Sequence, residues 1–190
     1  DGMFAFAIWD GARGRLFCAR DRAGEKPFHY AVVGSSFVFA SELKSLLLWP
    51  GFRRELDGAA LADFLTYGFV ADPKTIWKGA RKLPPAHALV VDLEVGGAVV
   101  REPKPYWDLV FDADESVADW GPPLRAALME SAVEMAYADV PVGTFLSGGV
   151  DSSAVTAALA RSRHDVHAYT IGFDETAYDE RPYAREVAAA

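Results

Sequence analysis

Cysteine is nearly missing from this chain: Cys18 is the one thiol among 190 residues. That excludes an internal disulfide framework and a cysteine-rich zinc site. A reducing compartment, the cytoplasm, is the expected location. Histidine is scarce, and His87, His164 and His167 have no partners at metal-ligand spacing. No apolar run approaches the ~20 residues that a membrane-spanning helix needs, so no membrane partner is expected. Positive charge is in deficit, with 19 lysines and arginines against 27 aspartates and glutamates and a net charge of −8. A binder of phosphate backbones carries a basic stripe, so a nucleic-acid partner is not expected either. No internal repeat is present, and no low-complexity tract beyond the terminal alanines. An initiator methionine and a signal peptide are missing at the start, and a helix cap is missing after Val187-Ala188-Ala189-Ala190. The chain is therefore expected to be an internal fragment.

Apolar residues make up 51% of the sequence, enough for a sizeable core. The length allows one large domain or two small ones. All of the excess acid lies at or beyond residue 101. Pro103, Pro105, Pro122 and Pro123 flank that shift, which marks a boundary.

The first half reads as β-rich. Phe4–Trp9 and Leu16–Arg20 are short apolar runs around a turn-rich Asp10–Gly14. Phe28–Val33 and Ser36–Ala40 flank the hairpin turn Gly34-Ser35. Ser41 is expected to cap a helix over Glu42–Leu48, and Asp57 one over Gly58–Tyr67 with Leu61, Phe64 and Leu65 on one face. His87–Leu93 and Ala98–Arg101 form a hairpin around Gly96-Gly97. Helices are expected over Leu124–Ala138, Ser152–Arg161 and Glu180–Ala190, and strands over Val142–Leu146 and Ala168–Phe173. That order suits a parallel, doubly wound sheet.

Ser147-Gly148-Gly149-Val150-Asp151-Ser152-Ser153 joins an expected strand to an expected helix. The open end of a parallel strand is where such sheets bind ligands. Paired glycines let the backbone approach an anion, and the next helix offers free N–H groups and a positive dipole end. Serines add hydroxyl donors. Asp151 suits a phosphate only with a cation between them, and magnesium fills that role. Neither a Walker A loop nor a G-x-G-x-x-G fingerprint is present. Read without function, the same string is a helix N-terminus with a serine or aspartate cap.

With Val140–Leu146 before it, this loop resembles the pyrophosphatase loop of the glutamine-hydrolysing asparagine synthases. Gly2–Asp10, Ala19-Arg20-Asp21-Arg22-Ala23-Gly24-Glu25-Lys26-Pro27 and Phe39–Lys44 are similar to the distal part of that family's glutaminase domain. Lys82–His87 and Tyr106-Trp107 resemble its interdomain stretch, and Ile171-Gly172-Phe173 and Tyr178-Asp179-Glu180 continue the likeness. The resemblance implies an α+β then α/β chain. Residues 1–102 would be the remainder of an Ntn-type αββα glutaminase domain, 103–123 a linker, and 124–190 the start of a parallel-sheet ATP-pyrophosphatase domain. It implies ammonia released from glutamine by an upstream N-terminal cysteine. It also implies ATP-dependent activation of the aspartate side chain through an adenylate, with pyrophosphate released.

Carried over, Ser147, Gly148, Gly149, Asp151, Ser152 and Ser153 would hold the phosphates of ATP. Leu146 and Ile171 would lie against adenine and ribose, and Asp151 would meet magnesium through pyrophosphate. Val150 replaces the family's usual leucine, and Lys26–Tyr30 departs from its usual Leu-Tyr-Tyr. The glutamine- and aspartate-binding residues would lie outside the chain, which alone would be inactive. A homodimer is compatible with the likeness. A sibling synthetase for another carboxylate and a non-catalytic scaffold remain as alternatives.

Other residues have plainer expectations. Cys18 reads as a small buried hydrophobe and His29 as a half-buried strand residue, not a base. Arg20–Lys26 reads as a solvated loop with surface ion pairs of ~0–1 kcal/mol, or as part of a domain interface. Asp174-Glu175 and Asp179-Glu180 read as a loop and the acidic first turn of the last helix. The five tryptophans read as core or seam residues.

Overall fold

A computed structural model describes residues 2–112, 116–162 and 166–190. The chain divides into two compact units, Asp1–Phe111 and Asp112–Ala190. His164 lies outside the described residues.

The first unit is built from antiparallel strands. β1 (Ala5–Asp10) pairs with β2 (Arg15–Arg20) around the Asp10 turn, whose carboxylate accepts the N–H groups of Ala12 and Arg13. β3 (His29–Val33) and β4 (Ser36–Ala40) form the hairpin expected at Gly34, whose φ is +60°. Residues alternate between faces along both strands. Tyr30 and Phe37 join one apolar cluster with Cys18, Leu83, Leu89 and Val91. Ala31 and Val38 turn the other way and pack with Leu46 and Ala80.

α1 (Leu43–Leu46) is shorter than expected. Ser41 does not cap it; Glu42 stands at the N-cap without a side-chain bond. Trp49-Pro50-Gly51 then turns the chain away. α2 (Gly58–Tyr67) has the expected bounds. Asp57 Oδ1 accepts from Ala59 N at 2.9 Å and Ala60 N at 3.2 Å, and Gly68 closes the helix at φ 78°. Its Leu61–Phe64–Leu65 face, however, is exposed.

β5 (Ala80–Lys82) adds to β3, and β6 (His87–Glu94) lies between β2 and β7 (Gly97–Val100). β8 (Lys104–Pro105) pairs with the start of β6. The unit therefore has two sheets, β1-β2-β6-β7 with β8 on β6, and β4-β3-β5, sharing one core. One helix, α1, covers the far face of the smaller sheet through Leu43 and Leu46.

The charge-dense segment is solvated at Arg22, Glu25 and Lys26 but not at its first two charges. Arg20 is 8% exposed and Asp21 only 1%. The Arg20 guanidinium donates to the carbonyls of Gly24, Lys26 and Leu83 and to Asp72 Oδ2. Asp21 accepts from Phe4 N, Glu25 N and Lys26 N. These charges serve as hydrogen-bond hubs for backbone groups that the loop would otherwise leave unpaired. Gly24 is required here: its φ is +69°, and a Cβ would sit 2.7 Å from Pro85 Cγ. Tyr106 Oη closes the cluster by donating to Arg20 O at 2.6 Å.

The tryptophans divide between core and surface. Trp77 packs in the second cluster, whereas Trp9, Trp49, Trp107 and Trp120 are exposed. Trp107 carries the Arg22 guanidinium 5.6 Å above its ring.

The second unit opens with α3 (Gly121–Met135), three residues earlier than the periodicity predicts. Pro122 and Pro123 sit in its first turn, where a missing N–H costs nothing. β9 (Gly143–Phe145), α4 (Val150–Ser162) and β10 (His167–Tyr169) follow, then α5 (Arg181–Ala189). β9 and β10 are parallel, with α4 as the crossover. Among the described residues this is the one parallel pair, and β10 stops at Tyr169, opposite Phe145 at the end of β9. Ala132 and Ala136 of α3 pack against Ala158 and Leu159 of α4. No helix among the described residues is long and apolar enough to cross a membrane.

Candidate functional site

The carboxyl ends of β9 and β10 open onto a cleft of about 290 Å³. Leu146, Ser147, Ser152 and Ile171 line it, joined by Phe145, Tyr169, Phe173 and Glu180. Four of the residues expected at a nucleotide site thus share one cavity. Leu146 is buried, and its N–H continues the ladder by donating to Tyr169 O at 2.8 Å. Ile171 is 67% exposed.

The loop between β9 and α4 is held by its own hydroxyls. Ser152 Oγ accepts from Ser147 N at 3.2 Å, lies 2.9 Å from Ser147 Oγ, and donates to Gly149 O at 3.2 Å. Ser147 Oγ accepts from Gly149 N at 3.3 Å. Ser153 Oγ is buried and has no hydrogen-bond partner among the described residues. Val150, Asp151 and Ser152 form the first turn of α4, where N–H groups have no intrahelical acceptor. Asp151 is exposed on that turn.

Gly148 is also constrained by packing. Its φ is +85°, and a Cβ would lie 2.4 Å from Tyr183 Cβ and 2.9 Å from Ala184 N. The glycine lets α5 press against the loop. Gly149, by contrast, would meet only Ser147 Oγ, at 3.4 Å.

The acidic pairs are sorted as well. Asp179 Oδ1 accepts from Arg181 Nε at 2.7 Å and from Arg181 N at 3.2 Å. The Arg181 bond holds the Asp179 carboxyl below its ordinary value. α5 starts at Arg181, so Asp179 and Glu180 precede the helix instead of forming its first turn. Among the described residues, no group of three or more histidines, cysteines, aspartates or glutamates could hold a metal ion.

In the first unit, Cys18 is fully buried in β2, and burial pushes its thiol up to about 12. His29 is half-buried; its Nδ1 lies 2.9 Å from Ser41 O, and burial lowers its basicity. Neither is placed to act as nucleophile or base. A larger cleft, about 450 Å³, lies between Val32-Val33-Gly34 and Phe52-Arg53. Its Lys78 and Glu55 are already bonded to each other at 2.5 Å, and it contains no residue of the expected site.

Sequence reasoning missed Thr144, Thr156 and Tyr183 around the loop. Hydroxyls at strand and helix positions that face an alanine-rich core were the available signal for the two threonines. No local signal pointed to Tyr183.

Comparison with known proteins accords with this layout. A family model described as a glutamine amidotransferase domain matches residues 1–107, and one described as asparagine synthase matches residues 124–190. The chain is 38% identical over 186 residues to asparagine synthetase [glutamine-hydrolyzing] 3 of Bacillus subtilis, covering 92% of this chain and 29% of that protein. It is 35% identical over 199 residues to putative asparagine synthetase [glutamine-hydrolyzing] 2 of Methanocaldococcus jannaschii, covering 98% of this chain and 36% of that protein. It is also 31% identical over 210 residues to amidase chyE of Penicillium rubens, covering 98% and 30%. The chain thus spans about a third of the length of the curated relatives it matches. With both family models matched in chain order, the polypeptide belongs to the glutamine-hydrolysing asparagine synthase family of amidotransferase–synthetases.

Proposed function

We propose that this chain forms part of a ligase that uses MgATP to activate a carboxylate and ammonia from glutamine to amidate it. The acceptor is the aspartate side chain: aspartate, glutamine, ATP and water give asparagine, glutamate, AMP and pyrophosphate. The observation that carries this reading is the Ser147–Ser153 loop. It joins a parallel strand to a helix N-terminus and lines a cleft at the strands' carboxyl ends. Helix N-termini favour anions through unpaired N–H groups and the dipole.

The donor set also fits magnesium. Asp151 is a single exposed carboxylate on the first turn of α4. Magnesium is commonly held by one or two carboxylates together with substrate phosphates and several waters. The buried, unpartnered Ser153 Oγ is a further donor at the same turn. Bound magnesium would supply charge stabilisation on the departing pyrophosphate. Ser147, Ser152 and Ser153 would orient the phosphates, and the backbone at Leu146 and Ile171 would flank the nucleoside. In this reading the α/β unit begins a parallel-sheet pyrophosphatase domain, and the stacked sheets belong to an Ntn-type glutaminase domain with its nucleophile upstream. One buried thiol suits the cytoplasm, and a homodimer is compatible.

Pyrophosphate release by the full-length protein tests the proposal, with aspartate compared against other carboxylic acids. Aspartate-dependent release is expected. Release with another acid alone would support the second reading, a sibling synthetase, which the match to a protein named an amidase favours. No release with any acid would leave a non-catalytic scaffold. Asp151→Ala is expected to abolish magnesium-dependent release with an unchanged circular-dichroism spectrum; undiminished release would refute the role of Asp151.

A further inference from the structure

Thr144 and Thr156 meet between β9 and α4, with their Oγ1 atoms 3.0 Å apart. Thr156 Oγ1 also lies 2.8 Å from Ser152 O, one helical turn earlier. A hydroxyl has one proton to give. Thr156 shares that proton between the Ser152 carbonyl and Thr144 Oγ1, both of which accept from it. Thr144 is only 7% exposed, and α4 and α3 bury alanine and leucine alongside. Valine would fill either place without burying a polar group, so packing alone does not call for this pair.

The hydrogen bonds run on into the loop. Ser152, whose carbonyl Thr156 holds, uses its own Oγ to receive Ser147 N and Ser147 Oγ–H, and donates to Gly149 O. A threonine bond to the carbonyl four residues back slightly bends a helix. Here it acts on the third residue of α4. We infer that the Thr144–Thr156 pair is a positioning device: it sets the angle of the first turn of α4, and through Ser152 it sets the loop that receives the triphosphate of ATP. The part concerning ATP rests on the proposed function.

The test compares Thr156→Val, Thr156→Ser, Thr144→Val and the Thr144→Val/Thr156→Val double variant in the full-length protein. The readouts are KM for MgATP in pyrophosphate release, thermal midpoint, glutaminase rate, and amide exchange at residues 147–152 without ligand. Thr156→Val is expected to raise KM for MgATP about fivefold, the equivalent of one neutral hydrogen bond. KM for the acid and the glutaminase rate stay unchanged, and loop exchange quickens. Thr156→Ser keeps the hydroxyl and stays close to wild type. Thr144→Val leaves the bond to Ser152 O and has the smaller effect. The double variant regains the thermal midpoint, because no hydroxyl is left unpaired, yet keeps the KM defect.

Unchanged loop exchange in Thr156→Val overturns the inference. So does a double variant that regains KM together with the midpoint, which would make the pair packing alone. If the wild type releases no pyrophosphate with any acid, the ATP reading falls by itself. Loop exchange then decides the pair's role: quickening in Thr156→Val but not in Thr156→Ser supports it, and no difference overturns it.

Discussion

Asp21→Asn removes a charge and adds two hydrogens where three backbone donors already converge. The Asp21 side chain takes Glu25 N at 2.9 Å on Oδ1, and Lys26 N at 3.0 Å and Phe4 N at 3.3 Å on Oδ2. Asparagine keeps one acceptor oxygen. With that oxygen at the Oδ2 position, which keeps the Lys26 and Phe4 bonds, its NH₂ group faces the Glu25 N–H in a site 1% exposed. One charge-assisted hydrogen bond worth about 1.5–3 kcal/mol is lost, and the two that remain lose their charge assistance, about 1 kcal/mol each. The total is about 4 kcal/mol, a large share of a domain's roughly 5–15 kcal/mol. Urea unfolding of the chain followed by tryptophan fluorescence measures this, since Trp9, Trp49, Trp77 and Trp107 lie in the first unit. A loss under about 1 kcal/mol would refute the view that the carboxylate ties the loop together. Acid provides a second check. Burial alone would raise the Asp21 carboxyl, but the bonds from Lys26, Glu25, Phe4 and Gly24 outweigh it and hold it below its ordinary value. Its stabilisation is therefore complete above the unfolded value of about 3.9 and is lost as pH falls through the lower folded value. The gap between wild type and Asp21→Asn should narrow in that acid window; a constant gap would contradict the assignment.

Cys18 should resist a thiol-reactive disulfide at pH 8 in the native chain and react fully in guanidinium, because it is buried with a thiol raised to about 12. Rapid native labelling would show the β2 core to be open. Gly148→Ala should cost about 3 kcal/mol or more, combining a left-handed backbone with displacement of α5, and limited proteolysis should cut α5 faster. An unaltered cleavage pattern would mean that α5 does not press on the loop. Asp57→Ala should cost about 1 kcal/mol in unfolding free energy by leaving Ala59 N and Ala60 N without their cap. A neutral result would remove Asp57 as the start signal of α2.

Local chemistry was readable wherever the controlling partner lies nearby in sequence. Asp57 and Gly68 set both ends of α2, and Gly34 sets the β3–β4 turn. Of the residues expected around a nucleotide, Leu146, Ser147, Ser152 and Ile171 share a cleft. Distant partners were not readable. Arg20 and Asp21 look like surface charges until Asp72, Leu83 and Phe4 supply their bonds from elsewhere in the chain. β5 and β8 hold three and two residues, too few to show a period. The stripe on α2 has the right spacing for burial, but exposure depends on what covers it, and spacing carries no information about that. Gly148 matched a functional pattern, while the contact that requires glycine comes from Tyr183.

That contact has a consequence for the order of assembly. Residues 148 and 183 are far apart along the chain, and α5 must dock before the loop reaches its final shape. Contacts of long sequence separation form late, because the intervening segment must first be closed. During synthesis, the stretch from Ser147 to Ser153 leaves the ribosome well before the helix that completes it. A nascent chain halted between β10 and α5 would hold every residue of the loop and still present it unfinished.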